Sequence, residues 1–203
     1  MKILLATHNQ FKANEVRQIF QGNNHEVLTL NEVCPELKIT EDGSTFAENA
    51  RKKARTAFTR TGMWTLGEDS GLEIDALNGL PGIMSARFVR EDATDIERNR
   101  RILLMMIAVP EEKRTARFRC VVCLIEPGGK EEIFEGVCEG RIAHTIRGIH
   151  GFGYDPIFIP EGYTQTFAEL GQAVKNRISH RARAFQKVLN YLQTRLSSVA
   201  GLT

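Results

Sequence analysis

Segments with strand periodicity alternate with segments of helix periodicity from one end of the chain to the other. Lys2 to Ala6 is a short apolar strand, and Asn9 to Gln21 carries apolar side chains at helical spacing. Two longer strands are predicted at Ala116 to Glu126 and at Glu132 to Glu139, joined by a Pro-Gly-Gly-Lys segment typical of a hairpin. Arg181 to about Leu196 predicts a closing helix. This alternation predicts an α/β fold of the mixed α+β kind, built on one long, partly antiparallel sheet.

Two capping-box patterns mark the interior helices. Thr45 is followed by Glu48 and Thr94 by Glu97, so we expect helices from Thr45 to Gly62 and from Thr94 to about Val109. Between them, Gly67 to Gly71 is rich in turn-forming residues and predicts a turn between regular elements. A short strand is expected directly after this turn, at Leu72 to Asp75.

Size and charge exclude several classes of protein. The 203 residues suit one domain, 1–203, with room for two lobes and a cleft between them. The net charge of +2 is too small to argue for a dedicated nucleic-acid or membrane binder. The longest apolar run, Ile102 to Val109, is far shorter than the roughly 20 residues of a spanning helix. We therefore expect a cytoplasmic protein whose four cysteines are reduced thiols.

The segment Thr7-His8-Asn9-Gln10-Phe11-Lys12 lies between the first strand and the first helix. A helix N-terminus presents backbone N–H groups and partial positive charge, which suit phosphate. Thr7 and Asn9 add hydrogen-bond donors, and Lys12 adds a full charge. The alternative is that Asn9 is an ordinary helix cap and Lys12 a solvated side chain.

Glu41 and Asp69 are candidate ligands for a hard cation such as Mg²⁺, because they stand on separate segments beside predicted regular elements. Lys53 lies in the helix that follows Glu41. Its ammonium group could point toward the same anion that the cation would bind. The alternative is that these carboxylates are routine turn and cap residues.

Two later segments are candidates for contacts with a nucleobase or phosphate. Gly151 to Pro156 has two glycines that allow close backbone approach, and an aromatic side chain that can stack on a base. Ser179-His180-Arg181 opens the last helix, with Lys175 just upstream. His180 and Arg181 oppose the helix dipole there, and both can donate hydrogen bonds to a keto oxygen or a phosphate. The alternatives are a glycine-rich turn and an ordinary Ser179 cap.

Taken together, the order and spacing of these segments resemble the non-standard purine nucleoside triphosphate pyrophosphatase family, the inosine/xanthosine triphosphate pyrophosphatases. The resemblance covers nearly the whole chain. Two departures are visible: Met84 stands where the family often has Tyr, and Glu68 where many members have Asp. The matching segments are Thr7-x-Asn9-x-x-Lys12, Thr45 to Ala50, Asp69 to Leu72, Pro81 to Ile83, Ser85 to Arg87, Glu91 to Asp95, Gly151 to Pro156 and Ser179 to Arg181.

The resemblance implies a long twisted mixed sheet separating two α/β lobes with an active-site cleft between them, and a homodimer. It implies hydrolysis of dITP/ITP and XTP/dXTP to monophosphate and pyrophosphate, with Mg²⁺ as cofactor. Glu41 and Asp69 would hold the metal, and Asp69 would also accept a proton from the attacking water. Phosphate contacts would come from Thr7, His8, Asn9, Gln10, Phe11, Lys12, Lys53 and Ser70. Lys175 would act near phosphate or sugar, and Phe152, Gly153, Tyr154, Asp155, His180 and Arg181 would hold the base.

Two other functions stay open at this stage. One is a nucleotide pyrophosphatase of different base specificity. The other is a non-catalytic nucleotide- or RNA-binding module, supported only by the basic stretches Arg51 to Arg55 and Arg98 to Arg101. Such a module needs no acidic pair beside its phosphate site, and we expect neither nucleic-acid nor membrane partners.

Overall fold

The protein is described from a computed structural model, which covers residues 1–200 and the side chains as far as Arg195. The strands are β1 (Lys2–Leu5), β2 (Glu26–Thr29), β3 (Trp64–Ile74), β4 (Thr115–Ile125), β5 (Glu131–Ile142) and β6 (Phe158–Pro160). The helices are α1 (Gln10–Phe20), α2 (Leu30–Val33), α3 (Phe46–Thr61), α4 (Asp95–Met105), α5 (Phe167–Leu170), α6 (Gln172–Ile178) and α7 (His180–Ala200).

The strands form one six-stranded sheet in the order β2-β1-β3-β4-β5-β6. Strand β1 is parallel to both neighbours, with Ile3 opposite Val27 of β2 and Leu4 opposite Thr65 of β3. At the other edge β5 and β6 are antiparallel. The prediction of a mixed α/β fold with a mixed sheet is therefore confirmed, while the cleft between two lobes stays a prediction.

The chain divides into two compact units, each with its own apolar core. The first unit comprises residues 1–69, 120–136 and the chain from Arg181 onward, and the second comprises 70–119 and 137–180. Strands β3, β4 and β5 each contribute residues to both units. In the first unit α1, β1, β4 and α7 bury apolar side chains together, and in the second α4 packs with parts of β4, β5 and α5.

Helices α1 and α3 begin and end where their capping residues predict. The Asn9 side chain accepts the Lys12 N–H at 3.1 Å, and Thr45 caps α3 through the Glu48 N–H. Gly62 ends α3 in the left-handed conformation, which costs a glycine little. The second half of the capping box predicted at Thr45 is absent, because the Glu48 carboxylate binds the backbone and hydroxyl of Ser44 instead.

The predicted turn at Gly67 to Gly71 is wrong, because this segment lies inside the continuous strand β3. Gly67 is needed there for space and not for a turn. A Cβ on Gly67 would lie 2.1 Å from the Ala50 carbonyl oxygen and 2.5 Å from the Ala54 nitrogen of α3. The strand therefore passes directly against the helix backbone, and Glu68 and Asp69 are carried on a rigid element rather than on a loop.

Helix α4 confirms the second capping box, with Thr94 and Glu97 bonded reciprocally. The helix ends at Met105, four residues before the predicted end. The buried Arg114 guanidinium takes up the carbonyl groups that follow, donating to Met106 and Val109 at 2.8 and 3.2 Å. Among the described residues no helix is long and apolar enough to span a membrane.

Candidate active site

The loop between β1 and α1 is held by its own side chains. Thr7 Oγ1 accepts the Asn9 N–H at 3.1 Å, and Asn9 in turn caps α1. His8 uses both ring nitrogens, at 2.6 Å from Asn31 Oδ1 and 2.8 Å from the Leu37 carbonyl oxygen. This arrangement presents the first turn of α1 as an ordered N-terminus, which is the geometry that binds anions.

Gln10, Phe11 and Lys12 occupy the first turn of α1, and Lys12 reaches across to strand β3. Gln10 bonds Asn14 on its own helix, and the Phe11 side chain is exposed. The Lys12 ammonium lies 2.8 Å from Glu68 Oε2 on β3. The Lys12 ammonium group is thus held at the N-terminus of α1 by a buried carboxylate from β3.

Glu41, Lys53 and Asp69 meet in one cluster of the first unit. The Lys53 Nζ lies 2.8 Å from Glu41 Oε2 and 3.2 Å from Asp69 Oδ1, and it donates to the Glu68 carbonyl oxygen at 3.0 Å. Lys53 is buried at its position on α3, and Asp69 is buried on β3. The structure therefore brings the two predicted metal ligands to a single ammonium group.

Burial and neighbouring charges act against each other on the pKa values of Lys53 and Asp69. Burial disfavours the Lys53 ammonium, but the carboxylates of Asp69 and Glu41 outweigh it and raise the pKa of Lys53. Burial also raises the pKa of Asp69, because Lys53 offsets the loss of hydration only in part. A carboxylate with a raised pKa is a stronger base, so Asp69 is suited to accept a proton.

Glu68 and Arg181 form a buried ion network beside this cluster. Arg181 Nη2 lies 2.8 Å from Glu68 Oε1, and Arg181 Nη1 lies 2.5 Å from Glu15 Oε2 on α1. Burial would raise the pKa of Glu68, but Arg181 and Lys12 hold it well below its usual range. Glu68 thus has one oxygen on Lys12 and the other on Arg181. Contact of Arg181 with a base stays a prediction, since these two carboxylates orient the guanidinium here.

Phe152, Asp155 and Lys175 meet in the second unit. Asp155 Oδ2 accepts the Phe152 backbone N–H at 2.9 Å and lies 2.5 Å from Lys175 Nζ. The same ammonium lies 4.4 Å from the centroid of the Phe152 ring. Asp155 and Lys175 are 1 % and 2 % exposed, so the pair is shielded from water and fixes both the loop backbone and the aromatic ring.

Tyr154 and His180 are buried against the core of the second unit. The Tyr154 hydroxyl donates to the Ser85 carbonyl oxygen at 2.8 Å, and the His180 ring stacks on Phe118 with centroids 4.7 Å apart. Tyr154 therefore anchors the loop Phe152 to Asp155 to the core of the second unit, and His180 anchors the first residue of α7 to the same core. Ser70 follows Asp69 on β3 and is partly buried.

Asn49 and Glu15 of the first unit also contact the predicted site residues, although the sequence analysis predicts no role for them. Asn49 donates to Asp69 Oδ2 at 3.0 Å and accepts the Gly43 N–H at 2.8 Å, which orients the carboxylate. Its place in the segment Thr45 to Ala50, which matches the resembled family, is the signal that could have found it. Glu15 had no such signal, because its partner Arg181 is 166 residues away along the chain.

The Glu41–Asp69 pair fits a divalent cation that is completed by phosphate and water. Mg²⁺ is commonly held by one or two carboxylates together with substrate phosphates. The Lys53 ammonium already shows that a cation is stable between these two carboxylates. Among the described residues no group of three or more His, Cys, Asp or Glu side chains is arranged as a self-sufficient metal site.

Comparisons with known proteins agree on one family. A family model described as the Ham1 family matches residues 3–191. A dITP/XTP pyrophosphatase of Desulforamulus reducens is 45 % identical over 192 residues, covering 95 % of this chain and 96 % of that protein. One of Elusimicrobium minutum is 47 % identical over 193 residues, covering 93 % and 98 %. The Staphylococcus aureus Ham1 protein has a similar structure, with a TM-score of 0.86 at 35 % identity, covering 96 % of this chain and all of that one.

Proposed function

The chain belongs to the Ham1 family, and we propose on that basis that it hydrolyses non-standard purine nucleoside triphosphates to the monophosphate and pyrophosphate. The proposed substrates are dITP/ITP and XTP/dXTP, and the cellular role is removal of deaminated purines from the nucleotide pool. Relatives that carry the name dITP/XTP pyrophosphatase support this proposal along nearly the full length of the chain. The observation that carries it is the Glu41–Lys53–Asp69 cluster, in which the buried Lys53 ammonium lies against the buried Asp69 and the half-buried Glu41 carboxylates.

Hydrolysis at the α-phosphorus must overcome the negative charge of the triphosphate and the weakness of water as a nucleophile. We propose that Glu41 and Asp69 hold Mg²⁺, which supplies charge neutralisation to the phosphates when bound. Lys12 and Lys53 add two positive charges, each held beside a carboxylate of β3. Their positions on α1 and α3 are set before substrate arrives, which is what makes electrostatic stabilisation effective.

Asp69 is the proposed proton acceptor. Its Oδ2 is oriented by the Asn49 amide and its Oδ1 faces Lys53, so the carboxylate has one defined position on a strand. Burial raises its pKa, which strengthens it as a base toward the attacking water. Pyrophosphate leaves as the new bond from water to the α-phosphorus forms. Thr7, Asn9 and Ser70 complete the proposed phosphate contacts.

Base recognition is assigned to the loop Phe152 to Asp155, together with Lys175, His180 and Arg181. Hypoxanthine and xanthine carry a keto oxygen at position 6, which accepts hydrogen bonds. Adenine carries an amine there, so donors of the site would face a donor. Unpaired polar groups of this kind can cost a substrate 10⁴-fold or more in kcat/KM.

Product analysis tests the proposal. The protein is incubated with Mg²⁺ and dITP, XTP, dGTP or dATP in parallel, and pyrophosphate is scored against orthophosphate. Pyrophosphate from dITP and XTP, with little from the other two, supports the proposed activity. Orthophosphate release would overturn it, and equal hydrolysis of all four would replace it with a pyrophosphatase of broader base specificity.

We further propose a cytoplasmic homodimer in which each chain acts as one two-lobed domain. Exposed apolar side chains at Leu80, Met84 and Val89 support an interface in the second unit. Sedimentation at micromolar concentration should give twice the chain mass. A single species of one chain mass would contradict the dimer without bearing on the chemistry.

A further inference from the structure

We propose that Asp95 and Asn99 of α4 are positioning residues that set base selectivity by holding Gly153 of the loop Phe152 to Asp155. Neither residue is among the predicted contacts to nucleotide. The inference rests on the proposed function, because base selectivity has a meaning only if this loop holds a base.

Both peptide groups of Gly153 are bound by side chains of α4. Asp95 Oδ2 accepts the Gly153 N–H at 2.6 Å, and Asn99 Nδ2 donates to the Gly153 carbonyl oxygen at 2.8 Å. Asp95 and Asn99 are four residues apart, so they lie on one face of the helix, one turn after the other. Helix α4 therefore fixes both the N–H and the carbonyl group of Gly153 by hydrogen bonds.

Asp95 is itself held in place. Its Oδ1 forms an ion pair with Arg98, whose guanidinium also donates to the Ala86 carbonyl oxygen at 2.9 Å. One carboxylate oxygen is thus fixed by Arg98, and the other is left for the loop. A carboxylate fixed at both oxygens defines the orientation of the peptide that it binds.

Gly153 adopts a φ of +65°, in the left-handed region that side chains other than glycine adopt only at a cost. A Cβ there would meet no atom within 4 Å, so the backbone conformation and not space requires glycine. The peptide planes on either side of Gly153 direct Phe152 toward Lys175 and Tyr154 toward Ser85. Loss of the hydrogen bonds to Gly153 would therefore change the orientation of the Phe152 ring, which is proposed to stack on the base.

Asn99 is retained at a cost to stability. The side chain is buried at 1 % exposure, and its Oδ1 has no hydrogen-bond partner within the part of the chain that the structure describes. A buried amide oxygen without a partner is unfavourable, and leucine, whose side chain branches in the same way without polar atoms, would avoid it. The interaction that Asn99 contributes is the one with the Gly153 carbonyl group, which points to a role in positioning.

The experiment compares wild type with Asn99→Leu, Asp95→Ala and the control Glu97→Gln. Glu97 lies between the two residues on the same helix, and its carboxylate bonds Thr94 and Arg90 instead of the loop. Three quantities are measured: the ratio of kcat/KM for dITP to that for dGTP, the inhibition constant of inorganic tripolyphosphate, and the melting temperature. Tripolyphosphate has no base, so it reports on the phosphate contacts alone.

We expect the dITP/dGTP ratio to fall about tenfold in Asn99→Leu and Asp95→Ala, while tripolyphosphate inhibition stays within about twofold. Glu97→Gln should keep the wild-type ratio even if its melting temperature falls. An unchanged ratio in both Asn99→Leu and Asp95→Ala overturns the inference and leaves the proposed function standing. A parallel loss of dITP activity and tripolyphosphate binding would show a structural role only and also overturns it. A wild-type protein that releases no pyrophosphate from dITP overturns the proposed function itself.

Discussion

Lys53 joins Glu41 and Asp69 by charge, and this contact shows how single residues serve both folding and chemistry. Each carboxylate is buried or half-buried and would be costly to fold without a cation. The lysine offsets that cost in the free protein. The same three groups thus stabilise the unit, and in the proposed function they would also bind the metal and the phosphates.

Asp69→Asn tests the proposed base. The amide keeps the shape of the side chain and can still bond Asn49, but it cannot accept a proton from water. We expect kcat for dITP to fall at least about 100-fold while the protein still folds, although loss of one charge beside the buried Lys53 lowers its melting temperature. Asp75→Asn makes the same chemical change directly after the end of β3 and should stay within about twofold of wild type. Activity of Asp69→Asn close to wild type would contradict the assignment.

Arg181→Ala should lower the free energy of unfolding. It would leave Glu15 and Glu68 buried without their common partner, and breaking a buried ion pair typically costs about 3–5 kcal/mol. Urea denaturation measures the difference in unfolding free energy. The exposed Arg183 serves as control, since Arg183→Ala should change stability by no more than about 0.5 kcal/mol. Equal stabilities of the two variants would show that the buried network is not needed for folding.

At the scale of elements, β3 and α3 together carry most of the proposed chemistry of the first unit. Gly67 lets the strand approach the helix so closely that Lys53 of α3 can reach Asp69 of β3. From the sequence this glycine is predicted to lie in a turn, because local composition cannot distinguish a glycine needed for its φ from one needed for space. Only the packing partner, Ala50 on α3, makes the difference visible.

Gly67→Ala should therefore disrupt stability and catalysis together. The new methyl group would overlap the Ala50 carbonyl oxygen, and overpacking of this kind costs about 1–3 kcal/mol or more. Because Asp69 is two residues further along β3, kcat should fall as well. Gly128→Ala, in the β4–β5 turn with no atom within 4 Å of its Cβ, should be nearly neutral. Urea denaturation and steady-state kinetics on both variants check this, and a neutral Gly67→Ala would contradict the close approach.

The start of α4 should depend on pH through Glu97. Hydrogen bonds from Arg90 and Thr94 lower the pKa of Glu97 from 4.5 to about 2 in the folded protein. Since the folded pKa lies below the unfolded one, this stabilisation is present above pH 4.5 and is lost as the pH falls toward 2. Urea denaturation of wild type and Glu97→Gln should therefore show a difference that shrinks between about pH 5 and pH 2. A difference independent of pH would contradict the lowered pKa.

At the scale of the whole molecule, the sequence predicts elements and motifs better than their long-range partners. The caps at Asn9, Thr45 and Thr94 depend on neighbours within four residues, and all three are where the sequence predicts them. The Glu15–Arg181 pair and the hydrogen bonds between α4 and Gly153 join segments that are distant along the chain, so no local pattern announces them. Both come from the way the chain assembles into its two units.

The measurement that tests the account most directly is hydrolysis of dITP in ¹⁸O-labelled water, followed by mass spectrometry of both products. If Asp69 activates water for attack on the α-phosphorus, the label will appear in dIMP and the pyrophosphate will be unlabelled. Label in pyrophosphate or in released orthophosphate would mean that water attacks another phosphorus. That result would contradict the proposed reaction and the placement of Asp69 beside the scissile bond.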